Sequence, residues 1–190
     1  MKNILLASLL LTASFNSFSQ TQIPNGDFEN WKAFPHCEGI DSLVNFFTYD
    51  EFIYYGSIQG GKAGYCNPTP TAIKTTDKQS GTYALKLTTL NLGTFGYASN
   101  FVQLGSVGTY DGLLGATGAP FTGRPTKLTG YYKFTKGGTD TLGFSIATSN
   151  ESDFVAFGEL SINESSNSDY TKFEIPLEYN PLITGNPTDI

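Results

Sequence analysis

From Ser80 onward the chain alternates apolar and polar residues with a period of two. Tyr83, Leu85 and Leu87 oppose Ala84, Lys86 and Thr88. Leu128, Gly130, Tyr132 and Phe134 oppose Lys127, Thr129, Tyr131 and Lys133. Three more runs follow: Leu142, Phe144 and Ile146; then Gly158, Leu160 and Ile162; then Phe173, Ile175, Leu177 and Tyr179. Each alternates with polar or small neighbours, which predicts strands with one face inward. Turn signals separate them at Lys136-Gly137-Gly138, Ser149-Asn150 and Ser165 to Asp169. Pro176 places its strand on an edge or at a bulge. Phe101 to Gly105 reads as a further strand, followed by a glycine-rich loop through Gly118. No segment holds a helical period for long. The expected class is all-β.

The first third is less regular. Asn25-Gly26 is a turn signal, and Phe28 and the lone Trp31 anchor a short first strand. Phe46, Phe47, Tyr49, Phe52, Tyr54 and Tyr55 form a dense aromatic run. Two readings stay open for it: a β-hairpin packed on the main sheets, or a binding face on which sugar rings stack their C–H faces. Gly60-Gly61, Gly64, Pro68 and Pro70 mark a long loop.

Composition sharpens this picture. The chain has 190 residues, enough for one domain with its own core. Charged residues are 15 %, against roughly 25 % in ordinary soluble proteins. The net charge is −6 and there is no basic stripe, so no nucleic-acid partner is expected. Met1 to Ser19 reads as a secretory signal: Lys2 opens it, Ile4 to Leu11 is the apolar run, and Ser17 and Ser19 suit cleavage before Gln20. The run is too short to span a bilayer. The expectation is a secreted or cell-surface protein with no membrane span, its single domain running from residue 20 to 190. In an oxidising compartment Cys37 and Cys66 pair most simply as one disulfide, worth about 3–4 kcal/mol on the chain-entropy model.

Candidate chemistry is sparse. The only arginine, Arg124, is displayed between prolines at 120 and 125. Pro125 fixes its own φ and pushes Arg124 toward extended backbone. Its guanidinium can serve sugar hydroxyls or a uronate carboxylate, or an ion pair holding the loop, with Asp111 or Asp140 as partner. His36 is the only histidine, which leaves no nucleophilic triad and no zinc set. Glycoside hydrolysis needs only two carboxylates, but no pair stands out; Asp50-Glu51 and Asp153 read as solvated acids near turns.

Two stretches, N-G-D-F-E-N-W at 25–31 and S-G-T-Y-A-L-K-L at 80–87, are similar to jelly-roll carbohydrate-binding modules of the galactose-binding-like type. G-A-P-F-T-G-R-P-T-K-L-T-G-Y-Y-K-F at 118–134 resembles the signature of the PCMD (carbohydrate-metabolism) domain family of Bacteroidetes. The resemblance implies a jelly-roll β-sandwich of two antiparallel sheets. It also implies a structural calcium ion with Glu29, and less directly Asp27, as ligands, since a hard cation takes oxygen donors. Such domains end in a further strand that this sequence lacks. Three functions stay open: a non-catalytic module binding a polysaccharide or oligosaccharide through Arg124, Tyr131, Tyr49, Tyr54 and Tyr55; a structural or adhesin-like surface domain without sugar binding; and a glycan-active hydrolase using an acid pair.

Overall fold

A computed structural model describes residues 22–91, 94, 97–111, 113–150, 153–166 and 168–190. The signal expected at 1–19 lies outside them. Within the described residues the chain is mainly strand with one short helix. No described helix is long and apolar enough to cross a membrane.

The regular part of the sequence makes the regular part of the fold. β11 (Lys127–Tyr132) pairs antiparallel with β14 (Thr171–Pro176), with Leu128 opposite Ile175 and Gly130 opposite Phe173. β12 (Leu142–Asn150) pairs antiparallel with β13 (Asp153–Ile162), and the two-residue β15 (Glu178–Tyr179) adds to the other edge of β13. The inward residues of both ladders meet in one apolar cluster. Ile146, Ala156, Ile175 and Leu177 are buried at its centre, with Leu128, Phe144, Leu160, Phe173, Tyr179 and Ile190 packed around them. Leu177 is where the chain passes from one ladder to the other: its amide donates to the Thr126 carbonyl at 2.9 Å, and the next residue begins β15. Phe144 and Phe173 stack across this core, centroids 4.2 Å apart. Gly130 makes room for that stack, since a Cβ there would sit 2.6 Å from the Phe173 ring.

A register shift interrupts the β12–β13 ladder between Thr148 and Ser149. Thr148 pairs with Ala156 and Ser149 with Phe154, so Val155 is the extra residue of a β-bulge. Val155 and Ala156 both turn inward and are buried, while Phe154 and Phe157 both face out. Beyond the bulge, Ser149 bonds to Thr188 and Asp189, and Ile190 exchanges two backbone hydrogen bonds with Ala119, at 3.0 Å each. The segment 188–190 thus lies between 119–121 and the end of β12.

The first half is built from shorter pieces. β1 (Trp31–Ala33) pairs with β2 (Asp41–Leu43). β3 (Phe46–Thr48) runs directly into α1 (Tyr49–Gln59) and pairs with β8 (Val102–Leu104). β4 (Ala72–Thr75) pairs with β5 (Ala84–Leu87), and β6 (Leu90–Asn91) with β7 (Tyr97–Ala98). β9 (Ser106–Tyr110) and β10 (Leu113–Thr117) form a hairpin where a glycine-rich loop was expected. Asp111-Gly112, a strong two-residue hairpin signal, was the clue in the sequence.

β3 and α1 take the place of the hairpin read for the aromatic run. Thr48-Tyr49-Asp50-Glu51 carries a T-x-x-E capping pattern, and the Glu51 carboxylate accepts the Thr48 backbone N–H at 2.9 Å. Asp50 and Glu51 lie in the first turn, where the helix dipole favours negative charge. Gly60-Gly61 ends the helix, with Gly61 at φ +73°. The two acids, expected to be solvated, are instead buried. Asp50 accepts hydrogen bonds from the Asn67 amide (2.8 Å), the Thr71 and Ala72 backbone N–H groups (2.8 and 3.1 Å) and the Thr71 hydroxyl (3.2 Å). One carboxylate thereby ties the 67–72 segment to the helix start.

Candidate functional site

Short elements of the first half and the Gly118–Pro120 segment enclose a cavity of about 440 Å³. β1 contributes Lys32, β3 contributes Phe46 and Phe47, and α1 contributes Glu51 and Tyr55; Phe34, Ser42 and Pro120 complete the wall that matters here. The walls are held from outside. The disulfide Cys37–Cys66 is formed, with Cα atoms 5.5 Å apart, and Phe34, Cys37 and Ile40 are buried as a satellite core beside Tyr54 and Tyr55. The Asn25 side chain donates to the Asn30 and Val44 carbonyls at 3.0 and 2.8 Å, fastening the first turn to β1 and the end of β2. Opposite, the Ala119–Ile190 bonds hold the 118–120 wall.

Glu51 is the buried ionisable group of this cavity. Loss of solvent pushes its pKa up, opposed by hydrogen bonds from Ser42 (2.7 Å) and Thr48 (2.9 Å). Both carboxylate oxygens therefore already accept, one from each residue. Asp50, its neighbour in sequence, is likewise fully committed. The adjacent acids act as clamps between segments, a role that does not present a general acid facing a general base.

The expected binding tyrosines do not form one surface. Tyr54 stacks on His36 (centroids 5.0 Å) and meets the edges of Phe34 and Tyr55. Tyr49 packs edge-on against Phe101 at 6.0 Å. Of the three helix tyrosines only Tyr55 reaches the cavity. Tyr131 stands apart on the outer face of β11, 49 % exposed.

Arg124 has architectural partners. Its Nη1 donates to the Gly185 carbonyl at 2.6 Å, and its guanidinium lies 4.4 Å from the Tyr179 ring centroid. The Tyr179 hydroxyl in turn donates to the Pro125 carbonyl at 2.7 Å. Burial pushes the Tyr179 phenol up, and Arg124 partly offsets that. Carbonyl and ring thus take the place of the ion pair considered with Asp111 or Asp140. Arg124 does not line the cavity.

Glu29 has one carboxylate oxygen engaged. Its Oε1 accepts the backbone N–H groups of Thr82 and Tyr83 at 2.5 and 3.0 Å, which hold its carboxyl below the usual range. A Cβ on Gly81 would meet the same oxygen at 2.1 Å, and Gly81 has φ +69°. The stretches 25–31 and 80–87 therefore meet through one latch that requires glycine. Asp27 is exposed in the preceding turn. Among the described residues no group of three or more His, Cys, Asp or Glu side chains converges as metal ligands would.

Sequence reasoning missed Lys32, Phe34, Ser42 and Glu51 as cavity residues. Only the capping pattern at Thr48–Glu51 pointed toward a buried acid; nothing local marked the others, because the cavity joins segments from 32 to 120. Comparison with protein-family models, with curated proteins and with solved structures found no match.

Proposed function

We propose that the chain is an exported, non-catalytic carbohydrate-binding domain whose ligand sits in the cavity between β1, β3, α1 and the Gly118–Pro120 segment. The observation that carries the reading is the cavity itself: its volume of about 440 Å³ falls in the range of small-molecule sites, roughly 300–1,000 Å³. Its lining suits a sugar. Phe46 and Tyr55, both partly exposed, offer ring surface to C–H faces, and the exposed Lys32 offers a polar group to hydroxyls. The disulfide supports export, since such crosslinks persist in oxidising compartments. The two ladders facing one core fit a sandwich of the jelly-roll kind, and the resemblance of 118–134 to PCMD domains agrees with glycan handling. Glu51, the acid that lines the cavity, is engaged in holding segments together, which favours binding over turnover there.

Calorimetric titration with neutral oligosaccharides of plant, algal and host type tests this. Binding should appear, and Phe46→Ala should weaken it about tenfold, the usual loss for an aromatic anchor. Silence across the panel would defeat the reading. The second reading, a structural surface domain, draws on the ring contacts that occupy Tyr49 and Tyr54; it expects that silence.

A further inference from the structure

The β11–β14 ribbon turns Leu128, Gly130, Tyr132, Phe173 and Ile175 toward the core. Its other face carries Lys127, Thr129 and Tyr131 on β11, with Lys172 and Glu174 on β14. Lys133 continues the same face just past β11. Three of the chain's 11 basic residues therefore gather on one ribbon face of a protein with net charge −6.

The charges there are unequal in number. Glu174 accepts from Lys127 at 2.8 Å and from Lys172 at 2.7 Å, so two ammonium groups share one carboxylate. Lys133 pairs with Asp77 in a neighbouring loop at 2.7 Å. An ammonium has three donors, and Lys127 and Lys172 each use one on Glu174. Lys172 sits directly across the ladder from Tyr131, so an exposed ring and an exposed cation stand side by side on one paired ribbon. From Lys127 to Lys133 the face runs roughly 20 Å at 3.3 Å per residue.

We infer that this face is a platform for a carboxylate-bearing polysaccharide, a polyuronate. A sugar ring would lie on Tyr131 while its carboxylate takes the remaining donors of Lys172 and Lys127, and the next units would run along the face toward Lys133. At Lys127, Lys172 and Glu174 two ammonium groups stand against one carboxylate, and that local surplus supplies the complementarity. The acidic remainder of the protein opposes it little, because charges more than about 8–10 Å away are screened at physiological salt. The inference shares the saccharide reading above but not its site, and it does not use the cavity.

Native electrophoresis in gels containing polygalacturonate, a neutral glucan or no polymer tests it, on the wild type, Tyr131→Ala, Lys127→Gln/Lys172→Gln and Phe46→Ala. Unchanged thermal midpoints show that the surface variants are folded. The wild type should be retarded by polygalacturonate and less so as salt rises. Tyr131→Ala should lose about tenfold in affinity, the double lysine variant at least as much, and Phe46→Ala nothing. Absence of retardation by polygalacturonate overturns the inference, even if neutral oligosaccharides still bind the cavity. Retardation that survives Tyr131→Ala overturns it too, as does equal competition by single-stranded DNA, which would mean an unselective response to polyanions. Retention of polygalacturonate binding where cavity ligands fail would retain this face and remove the cavity reading.

Discussion

The two halves of this protein are stabilised by different physics. Residues 127–179 rest on long paired strands and one apolar cluster. Residues 22–117 have strands of two to five residues and one short helix. There a small satellite core and ring contacts on Phe101 are joined by polar and covalent connections: the Asp50 clamp, the Glu51 cap, the Asn25 and Glu29 latches and the Cys37–Cys66 bond. Burying alternate residues of a ladder is repetitive, so the second half tolerates local change and its stability adds up residue by residue. The first half concentrates its stability in single groups, and each of them joins segments distant in sequence. A cavity fits naturally in the half where short elements leave gaps.

Four experiments sharpen this contrast. The largest effect is expected for Asp50→Ala, which strips partners from the Thr71 and Ala72 amides and from Asn67. A loss of roughly 4 kcal/mol in urea unfolding follows from the cost of buried unsatisfied donors; a loss under about 1 kcal/mol would mean that solvent reaches the clamp. Reduction of the disulfide, which closes a span of 29 residues, should cost about 3–4 kcal/mol. Amide exchange should accelerate in β1, β2 and α1 and stay slow in β12 and β13; uniform acceleration would contradict two distinct regions. Ile175→Ala, at the centre of the ladder core, should cost about 3 kcal/mol and loosen β11 to β14 first.

The smallest effect is a pair of pH dependences of opposite sign. Glu51 has a folded pKa raised by burial, so the folded state holds the extra proton and stability falls as pH climbs above 4.5. Glu174 is lowered to about 2 by Lys127 and Lys172, so its contribution is present above 4.5 and is lost as pH falls toward 2. Glu51→Gln should remove the decline above 4.5, and Glu174→Gln should flatten part of the acid limb. Chemical unfolding of both variants across that range measures the slopes. If both slopes share a sign, the assignment of Glu51 as a desolvated acid fails.

Much of the second half was legible from residues alone. The period-2 pattern gave the inward faces of β11, β12 and β14, because alternation in a strand is dictated by backbone geometry and needs no partner to be recognised. Pro176 sits at the end of β14, a strand paired with β11, as its missing donor suggests. The disulfide was legible because two cysteines leave one pairing. The helix was not: aromatic residues at nearly every position hid its period, and its one signal was the four-residue cap at Thr48. The hairpin of β9 and β10 was masked in the same way, glycines along the strands drawing attention from the Asp-Gly pair at 111–112 in the sequence.

Sequence by itself determined where the strands of the second half run, which of their faces turn inward and which thiols join, since these follow from chain geometry and local composition. Tertiary structure alone decided that Asp50 and Glu51 are buried clamps, that Val155 bulges and turns Phe154 outward, that Arg124 lies on Tyr179, and that a cavity opens between residues 32 and 120. Those features depend on which distant segments become neighbours. A side chain's solvent, charge partners and spare volume are set by what arrives beside it, and that is written in the packing of the whole chain.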